Sequence, residues 1–145
     1  MYEVMIEDEF CGAHHLVGYR GKCEGVHGHN WKVVVVVRGE RLGKDGLLVD
    51  FHFLRKKLTR ILEELDHKDL NTISFFRRNN PSSENLARYI FLTLAKSFQK
   101  KNLSIYRVTV WENQRQSATY LQGGKNEGLP GAKDTGGKNI FRKGS

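Results

Sequence analysis

Five consecutive valines, residues 33–37, constrain the fold more than any other stretch of the chain. Each is branched at Cβ, which stiffens χ1 and favours extended backbone, and such a run leaves neither side of the strand polar. Residues 30–38 therefore read as a strand in a sheet covered on both faces over part of its length. Residues 2–10 supply another strand, with Tyr2, Val4 and Ile6 alternating against Glu3, Met5 and Glu7 at the two-residue period of a half-buried element.

The middle of the chain changes period. Asp50 is a suitable N-cap for a helix whose apolar stripe is Phe51, Leu54, Leu58, Ile61, Leu62 and Leu65. A second helix starts near "NPSSE", where Asn80 or Ser82 can cap and Glu84 favours the positive end of the dipole; its stripe is Leu86, Ala87, Ile90, Phe91, Leu94 and Phe98. Residues 104–112 and 117–121 read as the last two strands. The order ββααββ predicts an α+β domain, a four-stranded antiparallel sheet with two helices on one face. Residues 1–122 form this domain, and residues 123–145, rich in glycine and lysine, read as a flexible C-terminal extension.

At 145 residues the chain can bury a core without staples. Two cysteines, no signal-peptide pattern and no apolar run of membrane-spanning length point to a reducing, cytoplasmic setting with no membrane partner. The formal charge of +8 raises a nucleic-acid reading, but residues 122–145 carry +3 of it, leaving +5 for the domain. Basic residues in the helices alternate with acids, as in "RKKLTRILEELDHKD", which describes a solvated face better than a polyanion groove.

The chemistry concentrates between the first two strands, in a glycine-rich segment holding four of the six histidines and both cysteines. His27 and His29 alternate along an extended segment and so share one face, continued by Trp31 and Val33. Two imidazoles so spaced can grip one metal ion, and the end of the first strand offers a third in His14 or its neighbour His15. Three neutral imidazoles suit Zn²⁺ and leave a fourth position open. Cys23, four residues before His27, has two readings: a fourth ligand that closes the shell, or a thiol beside the metal whose pKa is lowered and which acts as a base. Glu112 follows the strand "YRVTVW" with the parity of Tyr106, Val108 and Val110, placing a carboxylate in line with inward residues, where a charge needs a partner or a ligand. Asp66 and His67, adjacent at the end of the first helix, form a further titratable pair.

In combination, "FCGAHHL", "CEGVHGH", "GLLVDF", "LDHKDLN", "NPSSENLA" and "VWEN" make residues 10–121 resemble the 6-pyruvoyltetrahydropterin synthase and 6-carboxytetrahydropterin synthase family. The resemblance implies His14, His27 and His29 as zinc ligands, Cys23 as the proton-accepting thiol, Asp66 with His67 as its charge-relay partner, and Glu112 as the anchor of the pterin ring. Ser82 and Ser83, within "NPSSENLA", are carried with Glu112 as substrate-binding residues. It further implies the tunnelling fold, in which ββααββ protomers join sheets into a barrel of trimers, two trimers stack into a hexamer, and active sites lie between subunits. The expected substrate is 7,8-dihydroneopterin triphosphate. One branch releases acetaldehyde and triphosphate and gives 6-carboxy-5,6,7,8-tetrahydropterin, an early intermediate toward 7-deazapurines such as queuosine; the other keeps the side chain and makes 6-pyruvoyltetrahydropterin. Gly12, where the family usually has alanine, His15 beside His14, and Glu24 beside Cys23 are departures from the pattern. The rival from another class is a basic, zinc-stapled RNA-binding module in which Cys23 completes the metal shell.

Overall fold

The computed structural model describes residues 1–21, 25–98, 102–121 and 123. Cys23, Glu24 and the extension from residue 124 onward lie outside the described residues.

Four long strands carry the sheet: β1 (Tyr2–His14), β2 (His27–Gly39), β4 (Leu103–Asn113) and β5 (Gln116–Leu121), all antiparallel to their neighbours. β1 and β2 are longer than their apolar patterns predict, because they pair without interruption from Tyr2↔Gly39 to His14↔His27. Backbone pairing therefore continues into the polar histidine segment, where periodicity gives no signal. One element corrects the expected four-stranded antiparallel sheet. Lys68 and Asp69 form a short strand, β3, parallel to β1 through Gly12↔Lys68 and Ala13↔Asp69, and the sheet order is β3-β1-β2-β4-β5.

Helices α1 (Phe51–Leu65) and α2 (Ser83–Ala95) contribute to one core with the inward side chains of the sheet, among them Ile6, Phe10, Trp31, Val33, Val35 and Val108. Asp50 caps α1 by accepting from the His52 N–H at 2.8 Å, and Ser82 caps α2 by accepting from Asn85 at 3.3 Å. Pro81 precedes the cap and lies outside the helix's first turn. The α1 stripe is buried from Leu54 to Leu65, but Phe51 is 54% exposed, since the first turn projects past the edge of the core. No described helix is long and apolar enough to cross a membrane.

Two bulges in β4 correct the simple parity of "YRVTVW". Val36 pairs with Arg107 and Val37 with Ile105, so Tyr106 is an extra residue that leaves the inward row. Its ring instead lies under the Arg38 guanidinium, 3.1 Å from the ring centroid. The bulge shifts the inward parity from Ile105 to Val108 and Val110, both fully buried. Glu112 is the extra residue of the second bulge, between the pairs Trp111↔Ser117 and Asn113↔Gln116.

Leu58→Ala, which empties a fully buried position, is expected to lower unfolding free energy by about 2–5 kcal/mol in urea titration. Phe51→Ala should lower it by less than about 1 kcal/mol, as exposed positions generally do; equal losses would contradict the placement of Phe51.

Candidate active site

The β1–β2 register sets His14 directly opposite His27 at one end of the sheet, with His29 two residues farther along β2. All three rings project to the inward side, and their centroids lie 4.5 Å (His14 to His27), 5.2 Å (His14 to His29) and 4.8 Å (His27 to His29) apart. Trp31 forms the floor. Its indole meets His14 and His29 edge to face, and its Nε1–H donates to the Gly12 carbonyl at 3.1 Å.

Hydrogen bonding fixes the tautomers. His14 Nδ1 lies 2.6 Å from the Pro81 carbonyl and His27 Nδ1 lies 2.7 Å from the Gly25 carbonyl. A carbonyl can only accept, so both Nδ1 atoms carry the proton and both Nε2 atoms present lone pairs. Those two Nε2 atoms are 3.0 Å apart. Lone pairs at that distance repel unless a cation lies between them. Protonating His14 is the poorer remedy: burial pushes its pKa down, and so does the charge that His27 and His29 would carry, against the opposing pull of the Pro81 carbonyl. His29 is also pushed down, chiefly by burial and against the raising effect of Glu112.

His29 Nε2 is buried with no hydrogen-bond partner, although Glu112 Oε1 lies 3.0 Å away, off the line a hydrogen bond requires. One donor atom from each of His14, His27, His29 and Glu112 fits within 4.8 Å. Converging neutral nitrogens, an orphaned buried nitrogen and second ring nitrogens tied to carbonyls match a zinc-type donor set. His14, His27 and His29 would hold the ion, with Glu112 beside it.

His15 does not join the cluster. Its backbone is clasped by Asn71, whose Oδ1 accepts from the His15 N–H at 2.9 Å and whose Nδ2 donates to the His15 carbonyl at 3.0 Å. Ser82, Ser83, Glu112 and His14 line a cavity of about 230 Å³ together with Ser117 and Ala118.

Asp66 and His67 lie elsewhere, at the end of α1, against the Cys11 backbone. Asp66 Oδ1 accepts from the Cys11 N–H at 2.9 Å, and Oδ2 lies 2.8 Å from His67 Nδ1. The Cys11 N–H and then His67 hold the Asp66 carboxyl below the usual carboxylate range. His67 adopts φ +54°, a left-handed conformation rare for a residue with a side chain. Sequence reasoning gave no role to Trp31, Asn71 or the Pro81 and Gly25 carbonyls. Only Trp31 had a readable signal, its parity with His27 and His29.

Residues 3–123 match the family profile described as 6-pyruvoyl tetrahydropterin synthase. The chain belongs to this family. Among synthase-family relatives, a 6-carboxy-5,6,7,8-tetrahydropterin synthase of Haemophilus influenzae is 28% identical over 144 residues, covering 84% of this chain and all of the relative (100%). A dihydroneopterin monophosphate aldolase of Pyrococcus furiosus is 36% identical over 89 residues, or 61% of this chain and 72% of the relative. The solved structure of Caenorhabditis elegans 6-pyruvoyl tetrahydropterin synthase superposes with a TM-score of 0.74 at 30% identity, covering 85% of this chain and 98% of that one. Membership makes the chain an enzyme of the tetrahydropterin synthase type, and the tunnelling-fold architecture follows from the superposition.

His27→Ala and His29→Ala are each expected to lower bound zinc by about tenfold or more in affinity, since each removes one of three protein donors. Glu112→Gln should retain the metal. Metal analysis after dialysis checks both, and zinc loss in Glu112→Gln equal to that in the histidine variants would make Glu112 a ligand.

Proposed function

We propose that the chain converts 7,8-dihydroneopterin triphosphate to 6-carboxy-5,6,7,8-tetrahydropterin with release of acetaldehyde and triphosphate, and that the reaction depends on Zn²⁺ held by His14, His27 and His29. The observation that carries this reading is the convergence of imidazole nitrogens beside Glu112 at the mouth of a cavity. A bound zinc ion would supply Lewis-acid polarisation of the substrate's hydroxyl-bearing side chain.

The protein's own groups divide the remaining work. Glu112 is inward and half-buried, and its carboxylate can accept from the ring N–H and amino groups of a pterin, which fixes the ring's orientation. Ser82 and Ser83 border the same cavity and offer hydroxyls to the substrate. Cys23 takes the role of proton acceptor from a side-chain carbon, a reading that rests on the resemblance of "CEGVHGH" to the family's motif. Asp66 binds His67 Nδ1 and leaves Nε2 free to exchange a proton, so the pair can serve as the second acid–base group.

Assembly belongs to the same proposal. β5 has one neighbour in the sheet, and β1 is paired on its outer side by β3 only at Gly12 and Ala13. Unpaired edges invite strand pairing, and among the described residues no strand contains a proline to block it. Closure of sheets into a ring, and stacking of two trimers as a hexamer, would bring one protomer's Asp66 and His67 toward its neighbour's Cys23.

Incubation with 7,8-dihydroneopterin triphosphate should yield acetaldehyde alongside triphosphate. A pyruvoyl product without acetaldehyde would assign the chain to the other branch, to which the C. elegans structure belongs by name. Cys23→Ala should keep zinc and lose turnover by about 10²-fold or more, the scale of a removed acid–base group. Mixed with His67→Ala under conditions where subunit exchange is demonstrated, it should regain part of the activity. A mixture that exchanges and stays inactive would place Cys23 and His67 in one chain's site.

A further inference from the structure

The side-chain amides of Asn71 and Asn80 take no part in the reaction proposed above, yet both grip the chain where it leaves His14. Each does so with two hydrogen bonds. Asn71 Oδ1 accepts from the His15 N–H at 2.9 Å and its Nδ2 donates to the His15 carbonyl at 3.0 Å. Asn80 holds Val17 in the same way, with both bonds at 2.9 Å. A carboxamide carries the donor and the acceptor of a peptide group, so each side chain stands in for one residue of a partner strand. The outer edge of β1 and its continuation is thereby occupied at every second residue: Cys11 by Asp66 and His67, Ala13 by β3, His15 by Asn71 and Val17 by Asn80.

His14 needs this support because it closes the β1–β2 ladder, and the ends of elements fray where nothing secures the chain beyond them. Asn80 adds a second constraint. Its own carbonyl accepts from the Ser82 N–H at 2.8 Å and from Asn85 Nδ2 at 2.8 Å, which holds the peptide leading into Pro81, a residue whose ring already fixes φ. The Pro81 carbonyl in turn lies 2.6 Å from His14 Nδ1. A closed circuit results, from the His14 backbone to Val17, through the Asn80 amide to Pro81, and from the Pro81 carbonyl back to the His14 ring. Rotation of that ring decides where its Nε2 points, and it points at His27 Nε2, 3.0 Å away.

We propose that Asn80 is a positioning residue of the imidazole cluster: by tying Val17 to the peptide ahead of Pro81, it fixes the carbonyl that aims the His14 ring and so sets the site's affinity for Zn²⁺. Asn71 secures the same strand exit two residues earlier. The inference rests on the reading that His14, His27 and His29 hold the ion. Asn80 itself acts only through the Pro81 carbonyl.

Zinc affinity of the full chain, read by competition with a chromophoric chelator, tests this together with the tautomer of His14. Asn80→Ala is expected to weaken zinc binding by about tenfold or more, the scale on which supports of metal-ligating histidines act. In the metal-free chain, long-range proton–nitrogen NMR spectra in mildly alkaline buffer should show His14 as a single Nδ1–H tautomer, and Asn80→Ala should turn it into a mixture of both. Leu58→Ala, which empties a core position instead, should lose stability yet keep the zinc affinity and the single tautomer, separating positioning from a general loosening of the fold. Undiminished zinc affinity in Asn80→Ala, a loss with the His14 tautomer unaltered, an equal loss in Leu58→Ala, or a tautomer mixture already in the unsubstituted chain overturns the inference alone. An unsubstituted chain without zinc affinity overturns the reading of the imidazoles as a zinc site, and this inference with it.

Discussion

The register between β1 and β2 is the constraint on which the rest depends. Pairing runs unbroken from Tyr2↔Gly39 to His14↔His27, and side chains alternate faces at every residue. A slip of one residue would turn either the valine row or the first strand's Ile6, Phe10 and His14 to the wrong side. Because Ile6, Phe10, Trp31, Val33 and Val35 are all buried in one core, the hydrophobic effect holds the register. The same register then sets His14 across from His27 at no further cost in ordering. The core thus supports the imidazole cluster, since the packing of the valines fixes where the imidazoles stand.

Around that register the site is completed by backbone atoms. The Pro81 and Gly25 carbonyls decide which ring nitrogens are protonated, and so decide that lone pairs converge. The Pro81 carbonyl comes from the residue just ahead of the Ser82 cap, so the start of α2 is tied to His14. Glu112 arrives by a different device. Without the Tyr106 bulge, Ile105 and Glu112 would fall on opposite faces of β4; with it, both are directed inward, one into the core and the other toward His29.

How much of this the sequence disclosed follows from the kind of signal each feature leaves. Valine runs, helical stripes and the caps Asp50 and Ser82 are local chemistry, and the elements they predict are present. The His27 and His29 pair was legible because strand alternation is a two-residue rule, whereas the third imidazole was legible from the residues only as His14 or His15, and the family resemblance selected His14. Bulges leave no such trace. Tyr106 reads as an inward aromatic until its partner strand is known, and Phe51 reads as core because helical period says nothing about where the core stops. β3 was unreadable for the same reason: two polar residues, Lys68 and Asp69, become a strand only because Cys11 and Asp66 clamp them to β1.

The two faces of the same sheet end therefore carry opposite kinds of chemistry. On the inward side, burial pushes the His14 and His29 pKa values down, and the Nε2 lone pairs of His14 and His27 meet because carbonyls have claimed their other nitrogens. On the outward side, Cys11, Asp66 and His67 are accessible, and the left-handed backbone at His67 is sustained by the hydrogen bond from its N–H to Cys11. Strain in the bridge region or the left-handed region persists only where surrounding contacts over-determine it, and here they come from β1 itself. Adjacent residues of one strand, Cys11 and Gly12, thus look onto the two clusters: the carbonyl of Gly12 receives the Trp31 indole beneath the imidazoles, while the amide and carbonyl of Cys11 grip Asp66 and His67. A change in β1 geometry at this point would move both clusters together, and at Gly12 an added Cβ would meet the Phe10 ring at 3.2 Å, so that ring packs close against the strand where a side chain is lacking.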